Sequence, residues 1–115
     1  MIIAGIGLRA TATTADLQAA LAGSGAARLA TPADKAQHPA FAGLALPLVA
    51  VPLIALADQP AQTESPRQPA RYGRHSVAEC AALAAAGPGA TLIQPRRIAA
   101  QGRVTLALAL AKESP

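Results

Sequence analysis

The chain has little of several residue types, and each shortage excludes a class of protein. Its 115 residues include no Trp, one Phe, one Tyr, one Cys and only six acidic side chains. A single cysteine forms neither a disulfide framework nor a cysteine-based metal cluster. No two carboxylates are spaced for acid and base catalysis, and His38 and His75 lack neighbours at metal-ligand spacing, so surface or capping roles are expected for both. The sequence predicts no metal site and no cofactor.

Long hydrophobic runs are also missing. Residues 1–6 are apolar, but no charged segment precedes them, so they do not have the pattern of a signal peptide. The longest apolar run, residues 40–57, is interrupted by Gly43, Pro47 and Pro52, which makes it unsuitable as a membrane span. We therefore expect a cytoplasmic protein that does not bind membranes.

The chain is rich in alanine and small aliphatic residues, with a modest excess of arginine. Hydrophobic residues make up 52% of it, the formal net charge is +4 and the isoelectric point is near 10.2. Its length suits one domain, residues 1–115, with a single core of Ala, Leu, Ile and Val. Nucleic-acid sites normally have a denser basic patch interleaved with aromatic rings, so we expect no nucleic-acid partner. Sparse arginines favour discrete carboxylates or phosphates.

The stretch from residue 73 to residue 97 carries the clearest local signals. Ser76 and Glu79 have the S-x-x-E spacing of a capping box, in which each side chain bonds the backbone N–H of the other residue. A helix is therefore predicted to begin at Ser76, to bury the Cys80 thiol and to end at the glycines that follow it. Residues 90–94 are predicted to form a buried strand, which the chain leaves at the next three residues.

The start of this helix is a candidate anion site. A helix N-terminus presents unpaired N–H groups and the positive end of the helix dipole, and Arg74 and His75 directly precede Ser76. Arg96 and Arg97 follow the next strand, where loops often carry ligand contacts. The alternative stays open that the capping box serves stability alone and that the paired arginines form a solvated surface.

The first half of the chain is predicted to contain a parallel strand pair. Residues 1–6 and 28–31 have the composition of short buried strands, and a helix begins between them at Thr13, with Asp16 completing a second capping box. Strand, helix and strand in this order are typical of a right-handed parallel crossover.

The middle of the chain is harder to interpret. Pro39 is expected to open a helix that reaches residue 46, and residues 52–56 are a candidate third strand, although residues 46–56 are too uniformly apolar to separate helix from strand. Residues 59–72 hold three prolines and three glutamines, which predicts a mobile surface loop.

The C-terminal part predicts a last strand within residues 103–111, where apolar and small residues alternate. The connection before it is too short for a crossover helix, so this strand and the preceding one should form an antiparallel hairpin. The predicted fold is therefore a three-layer α/β/α domain with a mixed, mostly parallel sheet of about five strands and a C-terminal antiparallel hairpin.

Gly5 and Gly7 fit G-x-G-x-x-A after a strand, a relaxed form of the dinucleotide-binding fingerprint. No acidic residue follows the second strand to bind a ribose, and the chain is about half the usual size of such domains. A small nucleotide-binding domain that uses the Gly5/Gly7 turn is the alternative function. The simpler interpretation is a tight turn at a strand end, which leaves Arg9 facing a cleft.

Four blocks of sequence, in order and spacing, are similar to one family. They are GIGLR at residues 5–9, L-A-T-x-x-x-K at residues 29–35, S-V-A-E-x-A-A-L at residues 76–83 and the turn at residues 95–97. Over nearly its whole length the chain resembles the family of CobE and the C-terminal domain of CbiG, which belong to cobalamin biosynthesis. Leu8 stands where that family often has cysteine.

The resemblance implies that the protein binds or processes a precorrin-type tetrapyrrole. CbiG-like proteins are associated with hydrolytic opening of a lactone on a cobalt-precorrin, which makes Lys35 a candidate catalytic electrophile. A binding or carrier protein needs only a basic rim, and the missing thiol and the scarcity of carboxylates favour that interpretation. Other enzymes of the cobalamin pathway are candidate partners.

Corrin precursors are apolar macrocycles rimmed with acetate and propionate carboxylates, which guanidinium groups bind in bidentate fashion. We therefore expect a cleft with basic side chains at its edge and small aliphatic side chains at its floor. The predicted ligand-binding residues are Gly5, Gly7, Arg9, Thr31, Lys35, Arg74, His75, Ser76, Arg96 and Arg97.

Overall fold

The computed structural model describes residues 1–57, 59–64, 68, 70–73 and 75–112. Its strands are β1 (Ile2–Leu8), β2 (Arg28–Pro32), β3 (Leu48–Val51), β4 (Thr91–Ala99) and β5 (Val104–Leu110). Its α-helices are α1 (Thr14–Leu21), α2 (Leu53–Leu56) and α3 (Val77–Ala86). Short 3₁₀ turns occupy Ala33–Lys35, Pro39–Phe41, Ala70–Tyr72 and Ala100–Gly102. No helix in this described part of the chain is long and apolar enough to cross a bilayer.

The strands form one mixed sheet in the order β3-β2-β1-β5-β4. Strands β1, β2 and β3 pair in parallel, whereas β5 pairs antiparallel with both β1 and β4. Side chains of α1 pack on one face of the sheet and those of α3 on the other, which gives three layers. The predicted α/β architecture and its C-terminal hairpin are confirmed.

Helix α1 begins where the sequence predicts. The Asp16 N–H donates to Thr13 Oγ1 at 3.1 Å, and the Thr13 N–H donates to Asp16 Oδ2 at 3.0 Å. This complete capping box satisfies two of the N–H groups that a helix start leaves without intrahelical acceptors. It places α1 directly after the loop that follows β1.

Strand β1 extends beyond its predicted end at residue 6. It pairs with β5 from Ile2↔Leu110 to Leu8↔Val104, so Gly5 and Gly7 lie inside the strand. The expected glycine turn is therefore wrong. A Cβ atom on Gly5 would overlap the carbonyl of Ala78, and the glycine instead allows α3 to pack closely on the sheet.

The middle of the chain differs from its sequence-based interpretation. The predicted helix after Pro39 is a single 3₁₀ turn, Pro39–Phe41, and the predicted strand at 52–56 is the short helix α2. The third strand is Leu48–Val51, which pairs with the free edge of β2. Pro52 then precedes the first turn of α2, a position where its missing N–H costs no hydrogen bond.

Strand β4 also differs from the prediction, because residues 95–97 stay in the sheet. The strand runs from Thr91 to Ala99 at the sheet edge and contains two register shifts against β5. An edge strand has one side free of ladder partners, so Pro95 is tolerated there.

Candidate functional site

A cavity of about 650 Å³ opens where β1 and β2 end, beside the N-terminus of α3. In open α/β sheets this edge is the usual place for a ligand. Basic, polar and apolar side chains line it. The lining residues are Gly7, Leu8, Arg9, Thr31, Pro32, Lys35, Glu64, Gln68, Tyr72, Ser76, Val77, Arg96, Ile98, Gly102, Arg103 and Thr105.

Most of the predicted ligand-binding residues that the structure describes line this one cavity. They are Gly7, Arg9, Thr31, Lys35, Ser76 and Arg96. Arg74 lies outside the described residues. Of the others, Gly5 is covered by α3, His75 pairs with Glu64 in an isolated β-bridge, and Arg97 contacts α1.

The backbone of Arg9 is fixed on both sides while its side chain is exposed. The Arg9 N–H donates to the Arg103 carbonyl at 2.9 Å, and the Arg9 carbonyl lies 2.8 Å from Nε2 of His38. Because His38 Nδ1 accepts the Ala40 N–H at 3.0 Å, the neutral ring carries its proton on Nε2 and donates to Arg9. The histidine thus has the capping role expected for it and holds Arg9 at the mouth of the cavity.

Two polar residues of the cavity wall each commit one hydrogen-bond donor to the fold. The buried Thr31 hydroxyl donates to the Ile6 carbonyl at 3.0 Å, and the buried Ser76 N–H donates to the Thr63 carbonyl at 2.7 Å. Thr31 can therefore offer a ligand a lone pair rather than a proton. In the first turn of α3, the N–H groups of Val77 and Ala78 have no acceptor inside the helix, and of these two residues Val77 lines the cavity.

The capping box predicted at α3 is only half formed. The Glu79 N–H donates to Ser76 Oγ at 3.3 Å, but the Glu79 carboxylate turns away from Ser76. Its Oε1 accepts the N–H groups of Gln62 at 2.7 Å and Thr63 at 2.9 Å, and its Oε2 accepts the Thr63 hydroxyl at 2.7 Å and the Arg96 N–H at 2.6 Å. The carboxylate therefore joins three parts of the chain.

Glu79 is fully buried, yet its carboxyl group is ionised at neutral pH. Burial alone would raise its pKa, but hydrogen bonds from the Thr63 hydroxyl and from the backbone N–H groups of Arg96, Thr63 and Gln62 outweigh burial, and the net pKa is lowered. The S-x-x-E spacing identified Glu79 as a capping residue, and no sequence signal indicated its other partners.

Arg96 and Arg97 point to different faces of the sheet. In the register with β5, Gln94 lies opposite Leu108 and Arg97 lies opposite Leu106, so three steps on β4 match two on β5. This bulge places Arg97 on the α1 face, where its guanidinium donates to the Ala20 carbonyl at 2.9 Å. Arg96 is left on the face that lines the cavity.

Arg103 lines the cavity but its guanidinium is bound elsewhere. It forms a bidentate pair with Asp16, with Nε to Oδ2 at 2.9 Å and an Nη2 to Oδ1 contact at 3.1 Å. Hydrogen bonds from Arg103 and from the Thr13 N–H hold the pKa of Asp16 well below its usual range. The pair fastens the chain just before β5 to α1, and Arg103 itself is part of the cavity wall.

A second acidic residue, Asp34, fastens another part of the cavity wall, at Tyr72. The Tyr72 hydroxyl donates to Asp34 Oδ2 at 2.8 Å, Arg71 Nε donates to the same oxygen at 2.9 Å, and the Arg71 guanidinium carbon lies 4.7 Å from the centre of the Tyr72 ring. Burial and the bond to Asp34 raise the pKa of Tyr72. These contacts place the chain's single tyrosine beside Lys35 in the cavity wall.

The predicted mobile loop, residues 59–72, is attached to the rest of the domain at two of its described parts. Gln62 and Thr63 are bonded to Glu79, and Arg71 and Tyr72 are bonded to Asp34. Residues 65–67 and 69 lie outside the described residues, so mobility of this loop stays a prediction.

Comparison with known proteins gives consistent matches. The family model for the cobalamin synthesis G C-terminus matches residues 2–109. The crystal structure of the cobalamin biosynthesis protein chiG from Agrobacterium tumefaciens str. C58 is similar, with 36% identity, a TM-score of 0.70 and coverage of 98% of this chain and 100% of that one. The structure of CobE, a protein from the cobalamin (vitamin B12) biosynthetic pathway, has 30% identity, a TM-score of 0.80 and coverage of 95% and 92%. Curated proteins yield no match.

Proposed function

Because this chain belongs to the CbiG C-terminal family of cobalamin-biosynthesis proteins, we propose that its cavity binds a precorrin-type tetrapyrrole through carboxylates on the ring's rim. The observation that carries the proposal is the meeting of Arg9, Lys35 and Arg96, from three distant parts of the chain, around one cavity. Their positive charges stand beside the aliphatic side chains of Leu8 and Ile98.

The chemistry of the cavity complements this class of ligand. A precorrin presents acetate and propionate groups around an apolar ring, and hydrogen bonds to charged groups contribute about 1.5–3 kcal/mol each when shielded from water. Arg9 is exposed and should contribute less, whereas Lys35 and Arg96 are half-buried. The volume lies within the range of about 300–1,000 Å³ usual for small-molecule sites. One edge of the ring would enter, and the rest would lie over the mouth.

Binding, or a carrier role, is favoured over hydrolysis by the state of the acidic residues. Asp16, Asp34 and Glu79 are each committed to hydrogen bonds within the fold. Among the described residues, Glu64 is the carboxylate that lines the cavity. Lactone hydrolysis, with Lys35 polarising the carbonyl and Glu64 activating water, is the second candidate because both side chains line the same space.

Nucleotide binding through Gly5 and Gly7 is disfavoured by the packing of these glycines. Gly5 lies under α3, and a Cβ on Gly7 would meet Thr105 Oγ1 at 2.5 Å. Neither glycine lies in a loop that leads into a helix N-terminus, which is the arrangement that binds a pyrophosphate.

The cellular setting that we propose is the cytoplasm, together with other enzymes of the cobalamin pathway as partners. A single buried free cysteine suits a reducing compartment. A carrier of a reactive intermediate would hand its ligand to the enzyme that acts next.

Spectral titration with hydrogenobyrinic acid tests the proposal. Binding without turnover is expected to shift the absorption bands of the ring, and Arg9→Ala and Lys35→Ala should each weaken binding several-fold. Arg28→Ala is the matched control, because Arg28 is exposed at the start of β2, whereas the cavity lies at the end of that strand, at Thr31 and Pro32. A fully esterified ring, which lacks the carboxylates, should bind poorly.

The same titration, repeated with a precorrin that carries the lactone, separates the candidate functions, because hydrogenobyrinic acid has no lactone to open. Release of a fragment of the ligand, detected by mass spectrometry and abolished by Lys35→Ala, would favour the hydrolase. Equal affinity of wild type, Arg9→Ala and Lys35→Ala for the acid would remove the cavity as the binding site.

A further inference from the structure

Glu79 makes more hydrogen bonds than a helix cap requires. A capping glutamate accepts one N–H from the residue at the cap, whereas the Glu79 carboxylate accepts four donors and none of them belongs to α3. Its side chain has no exposed surface. A buried carboxylate is stable only when hydrogen bonds replace the lost water, so this arrangement constrains all of its partners.

The shortest of these bonds reaches the bulge in β4. Between the pairs Gln94↔Leu108 and Arg97↔Leu106 the strand carries one residue more than β5, and Arg96 lies in that irregular segment. Its N–H donates to Glu79 Oε2 at 2.6 Å. With the first register shift, between Leu92 and Gln94, kept and this second one removed, Arg96 would lie opposite Leu106, on the α1 face of the sheet.

We infer that Glu79 is a positioning residue for the cavity: by binding the Arg96 N–H it holds the bulge that keeps Arg96, rather than Arg97, in the cavity wall. β-Bulges near functional sites commonly redirect a side chain in this way. The inference deepens the proposed function and rests on it for the identity of the ligand. For the geometry, the inference rests on the hydrogen bond between Glu79 and the Arg96 N–H and on the strand register.

The same carboxylate positions a second wall. Its Oε1 accepts the N–H groups of Gln62 and Thr63, and the next residue, Glu64, lines the cavity. Ser76 is linked to this segment through the Thr63 carbonyl. The buried Glu79 carboxylate therefore holds two other parts of the chain, the segment at Gln62 and Thr63 and strand β4, against the N-terminal part of α3.

Glu79→Gln is the decisive substitution because it preserves size and removes the charge. All four partners are donors, so an amide NH₂ at the Oε1 position would oppose two backbone N–H groups. At the Oε2 position it would oppose only the Arg96 N–H, because the Thr63 hydroxyl can turn and accept from it, so we expect the NH₂ there and the Arg96 bond to be lost. In the unliganded variant, the NMR signals of the Arg96 N–H and Nε–H should move and broaden, and those of Arg97 should stay in place. Unchanged Arg96 signals would overturn the inference.

A double-mutant cycle connects the geometry to binding. With hydrogenobyrinic acid as the probe, Arg96→Ala and Glu79→Gln should each raise the dissociation constant about tenfold, and the double variant should bind no more weakly than either. Additive losses would show that Glu79 does not act through Arg96. As the control, Glu79→Gln and Arg28→Ala should be additive, with no loss from Arg28→Ala.

Two outcomes keep this inference separate from the proposed function. If Glu79→Gln does not fold, NMR of the wild-type protein still tests the inference. Scalar couplings across hydrogen bonds should connect the Glu79 carboxyl carbon with the amide nitrogens of Arg96 and Gln62. Their absence would overturn the inference. If wild type does not bind the acid at all, the proposed function fails, and the Arg96 signals in Glu79→Gln still test the positioning role.

Discussion

Arg96 and Arg97 are consecutive in the chain but lie on opposite faces of the sheet. The Arg97 guanidinium donates to the Ala20 carbonyl at 2.9 Å, in the last turn of α1, whereas Arg96 lines the cavity on the α3 side. The carbonyls of a helix C-terminus lack intrahelical partners and carry the negative end of the helix dipole, so a guanidinium stabilises them. One arginine therefore stabilises a helix and the other belongs to the candidate site.

Replacing Arg97 or Arg96 singly with alanine should distinguish a residue that stabilises the fold from one that binds the ligand. Arg97→Ala is expected to lower the free energy of unfolding by about 0.5–1 kcal/mol, because the Ala20 carbonyl near the end of α1 loses the hydrogen bond from the exposed guanidinium. It should leave tetrapyrrole affinity unchanged. Arg96→Ala should weaken tetrapyrrole binding. Urea unfolding and the spectral titration measure the two effects, and a loss of affinity in Arg97→Ala with unchanged stability would contradict this assignment.

The two glycines of β1 should respond differently to alanine. A Cβ on Gly5 would overlap the Ala78 carbonyl and lie 2.7 Å from the Ala82 nitrogen, and both atoms belong to the backbone of α3. Gly5→Ala should therefore cost at least ~2 kcal/mol of folding free energy, because α3 must move. Thermal or urea unfolding measures the loss.

Gly7→Ala meets a side chain instead, since its Cβ would lie 2.5 Å from Thr105 Oγ1. Its cost should fall when Thr105→Ala is added, whereas Thr105→Ala should not relieve Gly5→Ala. Equal stability of Gly7→Ala with and without the second change would show that the hydroxyl is not the obstacle.

Local signals predicted the elements that are fixed by local physics. The capping residues Thr13 and Ser76 fix the beginnings of α1 and α3, and the alternating side chains of residues 104–110 identify β5. The position of β5 between β1 and β4 depends on pairing between the two ends of the chain, which no local pattern specifies. The apolar run at residues 46–56 is ambiguous for the same reason: the edge of β2 decides which part becomes a strand.

The candidate site was predictable where it depends on strand ends. Arg9 follows β1, and Lys35 lies in the turn after β2, so their meeting at one edge of a parallel pair follows from topology. Which of Arg96 and Arg97 faces the cavity depends on the bulge in β4, which no sequence pattern indicated. The pairing of Arg103 with Asp16, which lie far apart in sequence, removes one cation from the site, and spacing does not indicate it.

Cys80 should be unreactive in the folded protein. Its side chain is buried in α3, and burial, with a smaller effect from the negative charge of Glu79, raises the pKa of the thiol to about 11. At a pH of about 8 roughly one thiol in a thousand would be ionised, and iodoacetamide reacts with the thiolate. Mass spectrometry should find Cys80 unmodified in buffer and alkylated in denaturant. Rapid alkylation in buffer would place the thiol outside the core.

Acid should destabilise the protein through two carboxylates in particular. Hydrogen bonds from Arg103 lower the pKa of Asp16 below its ordinary value of 3.8, and the net pKa of Glu79 lies below 4.5 because its four hydrogen bonds outweigh burial. A group with a lowered pKa binds fewer protons in the folded state than in the unfolded state. Its contribution to stability is therefore complete above the ordinary pKa and is lost as the pH falls through the folded-state value.

The free energy of unfolding should accordingly stay nearly level from neutral pH to about 5 and should fall steadily below about 4. Asp16→Asn removes one titrating group, so this variant should be less stable than wild type at neutral pH and should lose less stability on acidification. Urea unfolding at several pH values measures both effects. Asp16→Asn and wild-type curves that stay parallel down to a pH of about 2 would mean that the Asp16–Arg103 pair does not couple protonation to folding, since asparagine keeps the shape of the side chain but has no proton to bind.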